Sequence, residues 1–368
     1  SMKLNIAILP GDGVGPEVIA EAEKVLNSVG EKFKHDLAIE KGLIGGDSID
    51  KMGTALPEET VKLCQTSDAV LFGAVGGPKW DSASAKVRPE DGILAIRKQL
   101  GLFANIRPVK AYKSLIHSSP LKSDLLTGVD MVIVRELTGG LYFSKPKKRW
   151  ANKNGRQGVD TLRYSEKEIV RIMRVAFELA LKRKCKVTSV DKFNVLETGR
   201  LWREIANEVG SQYPQVQLEH MLVDNAAMQL VRNPANFDVI VSENTFGDIL
   251  SDEAAVLTGS MGMLPSASLS GVIAESTFTS KASLYEPIHG SAPDIQGKGI
   301  ANPIAAILSM AMMLRYSFGL LDEASIVESA VEEVLYEGYR TADLVTDDSP
   351  VLSTSVMGDY ISNKVKLL

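Results

Sequence analysis

Two aspartates spaced four residues apart are the carboxylates in this chain whose spacing most clearly suits a chemical role. The stretch SENTFGDILSDEAA, residues 242–255, puts Asp248 and Asp252 one helical turn apart on the same face. Like charges at this spacing cost a bare helix about 0.2–0.5 kcal/mol, so the pair needs compensation or solvation. Mg²⁺ prefers oxygen ligands, and Asp224, in HMLVDNAAMQL, offers a third carboxylate. The spacing allows a divalent metal site. The alternative is that Asp248 favours the helix N-terminus while Asp252 faces water.

Three arginines form a second set. Arg97 lies on a predicted helix, Arg107 on a predicted strand, and Arg135 at the end of the strand MVIVR. Guanidinium groups bind carboxylates bidentately, so three that converge would suit a dicarboxylate, and three that do not would form separate ion pairs. Ile93 and Leu94 share the helical face of Arg97, where they could contact an apolar substrate group or belong to the core.

Tyr142, in RELTGGLYFSKP, and Lys192, in SVDKFNVLE, are candidate proton-transfer groups. A lysine desolvated near a metal loses its proton readily, and a phenol near cations can donate one. Either residue by itself is more often structural.

The stretch YEPIHGSAPDIQGKGIANP, residues 285–303, has the composition of a ligand-binding loop. Small or flat residues at 289–292 allow close approach of the backbone to a ligand; they are His289, Gly290, Ser291 and Ala292. Asp294 could accept hydrogen bonds from ribose hydroxyls and repel a 2′-phosphate. A Gly/Pro-rich connector is the alternative, but so long an irregular segment favours function.

A second glycine-rich segment, LPGDGVGPEV at residues 9–18, resembles a nucleotide loop less closely. The dinucleotide fingerprint needs a third glycine three residues after Gly13, where this chain has Pro16. We therefore expect a tight turn between a strand and a helix rather than a phosphate cradle.

The elements that carry these residues alternate along the chain. Apolar runs predict strands at residues 3–9, 69–73, 131–135, 186–190 and 238–242, and periodic patterns predict helices at 166–182 and 200–209. This alternation predicts an α/β protein with a largely parallel sheet. We also expect a buried helix at 303–314, an arm built from two strands at 150–164, and a Ser/Thr-rich surface loop at 266–283.

Composition narrows the class of protein. The chain has 368 residues, of which 45% are hydrophobic and 24% charged, with a net charge of −5. This composition is typical of a soluble enzyme. The negative net charge gives no electrostatic reason for nucleic-acid binding. Two distant cysteines predict neither a disulfide framework nor a zinc site and fit a reducing cytoplasm. No apolar run reaches the roughly 18 residues of a membrane span, and no secretory signal pattern is present.

Seven motifs together resemble the isocitrate/isopropylmalate dehydrogenase family over nearly the whole chain. They are GDGVGPE, GGPKW, FANIRPVK, VRELTGGLYF, DKFNVLE, NTFGDILSDEAA and HGSAPDIQGKGIANP, in the order of the family. The resemblance implies an open mixed sheet flanked by helices, not a Rossmann fold, in two domains with a cleft between them. Residues 1–106 and 260–368 would form a discontinuous cofactor domain. Residues 107–259 would bind substrate and metal and form the dimer, with the arm at 150–164.

The resemblance also implies a reaction: oxidative decarboxylation of 3-isopropylmalate to 2-ketoisocaproate in leucine biosynthesis, with NAD and Mg²⁺ or Mn²⁺, in the cytoplasm. Arg97, Arg107 and Arg135 would hold the two substrate carboxylates, and Asp224, Asp248 and Asp252 the metal. Lys192 would act as base and Tyr142 as acid. In the shared sites of a homodimer, Lys192 and Asp224 would come from the partner, and Asp224 would also face the substrate. Stretches 77–90 and 290–302 would contact the cofactor; among their residues are Gly77, Glu90, Gly290, Ser291, Ala292, Asp294, Ile295 and Asn302, with His289 beside them.

Several other functions are compatible with these residues. Relatives acting on isocitrate, homoisocitrate or tartrate would share the metal and arginine sets. Apolar Ile93 and Leu94 favour an isopropyl group, since a third carboxylate would need Ser, Arg or Lys there, and Asp294 with Ile295 favours NAD. A regulatory homologue without turnover would lack part of the catalytic set, which is complete here. The aspartates alone would also fit a Mg²⁺-dependent hydrolase. One departure from the family is Phe193, where alanine is common.

Overall fold

The computed structural model describes residues 1–271, 282–345 and 350–368, and these build one large mixed sheet covered by helices. The described strands are β1 (Lys3–Gly11), β2 (Asp36–Lys41), β3 (Ala69–Ala74), β4 (Ala104–Lys110), β5 (Asp130–Glu136), β6 (Lys148–Asn152), β7 (Gly155–Val159), β8 (Lys186–Asp191), β9 (Gln217–Leu222), β10 (Val239–Ser242), β11 (Pro265–Leu269) and β12 (Ser283–Pro287).

The described α-helices are α1 (Gly15–Phe33), α2 (Gly45–Met52), α3 (Glu58–Thr66), α4 (Pro89–Gln99), α5 (Ser123–Leu126), α6 (Glu166–Leu181), α7 (Glu197–Gly210), α8 (Val223–Arg232), α9 (Asn244–Ala255), α10 (Ile304–Tyr316), α11 (Leu321–Tyr336) and α12 (Thr354–Leu367). The five predicted strands and both predicted helices are therefore present. None of the helices described is long and apolar enough to cross a membrane.

The main sheet has the order β2-β1-β3-β12-β11-β4-β5-β10-β8-β9 among the described strands. Neighbouring strands are parallel except around β11 and β4, where the pairs β12/β11, β11/β4 and β4/β5 are antiparallel. The expected open mixed sheet is confirmed. Strands from both chain ends, β1–β3 with β11 and β12, form one half of the sheet, and strands from residues 104–242 form the other.

Both faces of the sheet are buried, as alternation along a strand requires. On β5, Val132 and Val134 join one apolar cluster, whereas Met131 and Ile133 join another on the opposite face. The predicted buried helix is α10, whose apolar side chains are nearly inaccessible along its whole length. Helices covering both faces explain why the strands read as continuous apolar runs.

The arm predicted at 150–164 is an exposed antiparallel hairpin of β6 and β7, which begins at Lys148, two residues before the predicted start.

The prediction of a surface loop at 266–283 is wrong at both ends. Ser266 and Ser268 lie in the buried strand β11, and Ser283 begins β12. Ser266 is tolerated there because its hydroxyl donates to the carbonyl oxygen of Glu286 at 2.8 Å. Residues 272–281 of that segment lie outside the described part of the chain.

The glycine-rich segment at residues 9–18 forms the tight turn between β1 and α1 that was expected. Gly13 has φ +62°, and a Cβ there would lie 2.0 Å from the carbonyl oxygen of Ser291. The backbone N–H of Val14 donates to that same oxygen at 2.7 Å. The turn therefore packs directly on the 289–292 loop, and the missing side chain is what allows the contact.

We expect Gly13→Ala to lower the free energy of unfolding by about 3 kcal/mol or more, because overpacking against backbone adds to the left-handed strain. Gly53→Ala is the matched control: its φ is +74°, and nothing lies within 4 Å of a Cβ there. It should cost about 1–2 kcal/mol from strain alone. Denaturant unfolding of both variants measures the difference, and equal losses would contradict the contact with Ser291.

Candidate active site

Two of the three predicted arginines lie together on one face of the sheet. Asn105 on β4 pairs directly with Arg135 on β5, and Arg107 is two residues along β4 from Asn105. Arg107 also donates to the side-chain oxygen of Asn105 at 2.9 Å from Nε. The antiparallel β4–β5 pairing thus brings together two guanidinium groups that are far apart in sequence.

Helix α9 places the two aspartates against these arginines. Arg135 donates to Asp248 Oδ1, and Arg107 donates to Asp252 Oδ1, each from NH1 at 3.2 Å. The helix starts at Asn244, because Glu243 caps it by accepting from the backbone N–H of Phe246. The repulsion between Asp248 and Asp252 is offset within the chain by cations.

Tyr142 completes this cluster. Its hydroxyl donates to Asp248 Oδ2 at 2.8 Å, from a turn that follows β5. That hydrogen bond to a carboxylate raises the pKa of Tyr142, and partial burial adds to the effect. The hydrogen bond fixes the phenol beside the arginines, where it could donate a proton to a bound substrate.

The pKa of Arg135 shows how close the cationic groups are. Burial lowers it, Asp248 opposes the change, and the charges of Arg107 and Arg97 lower it further. All three predicted arginines therefore contribute positive potential at one place. A dianion is the ligand that this potential favours.

Arg97 reaches the cluster from helix α4 and pairs with Glu286 of β12 at 2.9 Å. Arg97 Nε and Glu286 Oε2 are buried and have no hydrogen-bond partner among the described residues. Of its neighbours on α4, Ile93 is buried in a core cluster, whereas Leu94 is 55% exposed. Leu94 alone is free to offer an apolar surface to a ligand.

Lys192 and Asp224 form a separate pair, with Lys192 Nζ 2.7 Å from Asp224 Oδ1. This hydrogen bond lowers the pKa of Asp224. Within the described ranges, no three His, Cys, Asp or Glu side chains are grouped so that they could hold a metal ion. One chain thus brings Asp248 and Asp252 together but does not add Asp224 to them.

Sequence reasoning missed a buried network beneath the cluster. Glu136 is fully buried and accepts from Thr138, Gly139 and the Tyr164 hydroxyl. The same hydroxyl accepts from the backbone N–H of Asn244, at the start of α9. The network joins the turn that carries Tyr142 to the helix that carries the aspartates. In the sequence, only the acidic residues within the stretches VRELTGG and SENTFGD, Glu136 and Glu243, pointed to it.

Glu243 is a buried carboxylate near this network with one oxygen that lacks a hydrogen bond within the described ranges. It is 7% exposed, its Oε2 has no partner among the described residues, and burial raises its pKa to about 7, with Glu136 adding to the shift. The pKa of Glu243 is higher in the folded state than in the unfolded state. The free energy of unfolding therefore falls as pH rises from the ordinary pKa of 4.5 to about 7, and it stays at the lower value at higher pH.

We therefore expect Glu243→Gln to stabilise the protein by a few kcal/mol at pH 8 and by almost nothing at pH 4. The amide oxygen can still cap α9. Denaturant unfolding of wild type and variant across this pH range tests it, and a pH-independent difference would contradict the raised pKa.

Two of the segments predicted to contact the cofactor meet near the turn at Gly13. A side chain at Gly76 would come within 2.9 Å of Glu90 Oε1 and 4.0 Å of Ser291 Oγ, so the segment containing Gly77 meets the 289–292 loop. Ala292 adopts φ +42°, which is rare for a residue with a side chain. Such backbone strain is typical of ligand-binding loops.

His289 carries an unused hydrogen-bond acceptor in this loop. Its Nδ1 donates to the carbonyl oxygen of Gly290 at 2.9 Å, which leaves Nε2 as the acceptor. That atom is buried and has no partner among the residues described, and burial lowers the pKa of the ring. A ligand N–H or O–H at Nε2 would satisfy it.

The remaining predicted cofactor residues differ in availability. Asp294 is exposed and Ile295 half-buried. The side chain of Asn302 is buried and already bonded to Asp343 and to the backbone N–H of Ile304. Asn302 therefore shapes the loop through its own hydrogen bonds.

Known proteins match this chain over nearly its whole length. Residues 5–361 match the family model described as isocitrate/isopropylmalate dehydrogenase. A protein named 3-isopropylmalate dehydrogenase from Geobacillus kaustophilus is 61% identical over 98% of this chain and 95% of its own length. A protein of the same name from Bacillus subtilis is 60% identical over 94% of this chain and 93% of its own.

Solved structures show the same fold. An isocitrate dehydrogenase from Methylococcus capsulatus aligns over 100% of both chains with a TM-score of 0.81 and 33% identity. A β-decarboxylating dehydrogenase from Thermococcus kodakarensis aligns over 100% of this chain and 96% of its own, with a TM-score of 0.79 and 36% identity. With a family model and relatives that span nearly its whole length, the chain belongs to the isocitrate/isopropylmalate dehydrogenase family.

Proposed function

We propose that this protein oxidatively decarboxylates 3-isopropylmalate to 2-ketoisocaproate and CO₂ with NAD, a step of leucine biosynthesis. The observation that carries the proposal is the convergence of Arg107, Arg135, Asp248, Asp252 and Tyr142 at one place. Guanidinium groups fit the substrate's carboxylates, and the high identity to proteins named for this activity supports the substrate.

The metal and cofactor fit residues that are present. Asp248 and Asp252 offer carboxylate oxygens of the type that Mg²⁺ and Mn²⁺ prefer, and Asp224 of a second subunit would add a third. His289 Nε2 and the strained backbone at Ala292 suit NAD. When bound, NAD supplies the hydride acceptor, and the divalent ion supplies Lewis-acid stabilisation of developing negative charge.

The chain's own residues then have distinct tasks. Arg97, Arg107 and Arg135 bind and orient the two carboxylates, with Leu94 beside the isopropyl group. Lys192 accepts the proton of the C2 hydroxyl as the hydride leaves. Tyr142, whose hydroxyl is held in place by Asp248, delivers a proton to C3 after CO₂ departs.

A homodimer with shared sites accounts for the position of Lys192 and Asp224, which pair with each other instead of joining the aspartates of α9. Exposed apolar side chains on adjacent helices support an interface there: Met228 and Val231 on α8, and Ile249 on α9. In this proposal Lys192 and Asp224 serve the site of the partner subunit.

The two halves of the sheet support a division into two domains, with the proposed boundary falling within β4. Residues 1–106 and 260–368 would carry NAD, and 107–259 would carry the metal and the dimer contacts, with the cleft between them. The two unbridged cysteines, Cys64 and Cys185, are compatible with the cytoplasm, where we place the enzyme.

Absorbance at 340 nm tests the proposal. Purified protein with 3-isopropylmalate, NAD and Mg²⁺ or Mn²⁺ should form NADH, and EDTA should stop the reaction. NADP should serve much less well, because Asp294 would repel the 2′-phosphate. Turnover of isocitrate or tartrate without turnover of 3-isopropylmalate would overturn the substrate assignment.

A further inference from the structure

Lys192 lies in a short loop, residues 192–196, that packs closely on the start of α7. The backbone N–H groups of Val195 and Leu196 donate to the carbonyl oxygen of Lys192 at 3.1 and 2.9 Å. A Cβ at Gly199 would come within 2.8 Å of the Lys192 carbonyl carbon. The backbone of Lys192 therefore depends on how the loop and α7 fit together.

Asp191 joins the two sides of this fit. Its carboxylate is 1% exposed and accepts from the backbone N–H of Phe193 at 3.0 Å. It also accepts from Nε and NH2 of Arg203 on α7, both at 2.9 Å. The bidentate pair has the geometry of a strong, directional contact, and it ties the residues on either side of Lys192 to α7.

The ring of Phe193 covers this ion pair. The guanidinium carbon of Arg203 lies 4.2 Å from the centre of the ring, within cation–π range, while 40% of Phe193 is exposed. The aromatic face restrains the guanidinium plane and shields it from water on one side. Water would otherwise compete for the hydrogen bonds to Asp191.

A small cavity borders the loop that carries Lys192. It has a volume of about 10 Å³, enough for roughly one water, and is lined by Lys192, Leu196, Gly199, Trp202, Glu243 and Phe246. Packing beside Lys192 is therefore incomplete, and the contacts among Phe193, Arg203 and Asp191 contribute to holding the loop in place.

We infer that Phe193 is a positioning residue for Lys192, acting through the stacked Arg203 and its bidentate pair with Asp191. This inference rests on the proposed function, in which Lys192 is the base. Without the ring, the loop samples positions from which the lysine amine cannot take the hydroxyl proton, so the chemical step slows while substrate binding is kept.

The test compares Phe193→Ala, Phe193→Leu and Phe193→Tyr with wild type, using NAD and saturating metal. Phe193→Ala should lower kcat about tenfold and change the KM for 3-isopropylmalate less than about threefold. Tyrosine keeps the aromatic face and should restore most of kcat, whereas leucine keeps volume only and should resemble alanine. Tyr336→Ala, which removes a ring that is 84% exposed on α11, is the matched control and should behave as wild type.

A second readout separates positioning from loss of folded protein. With substrate deuterated at C2, the primary isotope effect on kcat should rise in Phe193→Ala, because the oxidation step becomes more rate-limiting. A smaller folded fraction would lower kcat and leave the isotope effect unchanged. In a double-mutant cycle, Arg203→Leu combined with Phe193→Ala should cost little more than Arg203→Leu alone.

Wild-type kcat and an unchanged isotope effect in Phe193→Ala would overturn the inference, and so would full rescue by leucine. Absence of NADH formation by the wild type would instead overturn the proposed function. The two failures are therefore distinguishable in the same assay.

Discussion

Replacing Lys192 with alanine is expected to lower kcat with 3-isopropylmalate by about 10²–10⁴-fold, the usual contribution of a positioned general base. The side chain of Lys192 is 28% exposed and has a carboxylate partner, Asp224, so the amine is accessible to a substrate in the proposed shared site and lies beside one proposed metal ligand. Binding of substrate should persist, because the arginines remain. Initial rates and equilibrium binding of 3-isopropylmalate measure the two effects separately.

Two variants sharpen this experiment. Lys192→Arg keeps a cation beside Asp224, but a guanidinium cannot give up its proton near neutral pH, so kcat should stay low. Lys62→Ala removes an exposed lysine on α3 and should leave kcat unchanged. Turnover at saturation close to wild type in either Lys192 variant would refute the base role.

The second large effect is expected from Arg135→Met, which should raise the KM for 3-isopropylmalate about 100-fold or more. Arg135 is the most buried of the three arginines, with 13% of its side chain exposed against 19% for Arg107 and 34% for Arg97, and it is held by Asn244 and Asp248. The substitution removes a partly desolvated, oriented guanidinium that binds a substrate carboxylate. Methionine has a similar length but carries no charge. The KM for NAD should change little, because the cofactor loop lies on other elements.

The metal dependence of this variant gives a further check. Without Arg135, Asp248 loses a competing cation, so the Mg²⁺ concentration for half-maximal activity should not rise. Arg174→Met, an exposed position on α6, is the control for loss of an arginine. A KM within threefold of wild type in a folded Arg135→Met protein would show that this arginine does not bind the substrate.

The alternation of elements and several local details could be predicted from the sequence, because they depend on periodicity within a few residues. Strands β1, β3, β5, β8 and β10 and helices α6, α7 and α10 were expected where they occur. The segment at 266–283 was misjudged because serine is rare in central strands, and only neighbouring backbone groups on other strands could satisfy its hydroxyl. The buried network that joins Glu136, Tyr164 and Asn244 was missed for the same reason, because these three residues lie far apart in sequence.

By itself, the sequence determined that Asp248 and Asp252 share a helical face, that Arg97 lies on the same helix as Leu94, and that the glycines near Gly13 form a turn. These facts follow from helix and turn geometry alone. Only the tertiary structure decided that Arg107 and Arg135 share a face, that cations offset the two aspartates, and that Asp224 pairs with Lys192 instead of joining them. Each depends on strand order and register between segments up to 145 residues apart, and local side-chain patterns do not encode that order.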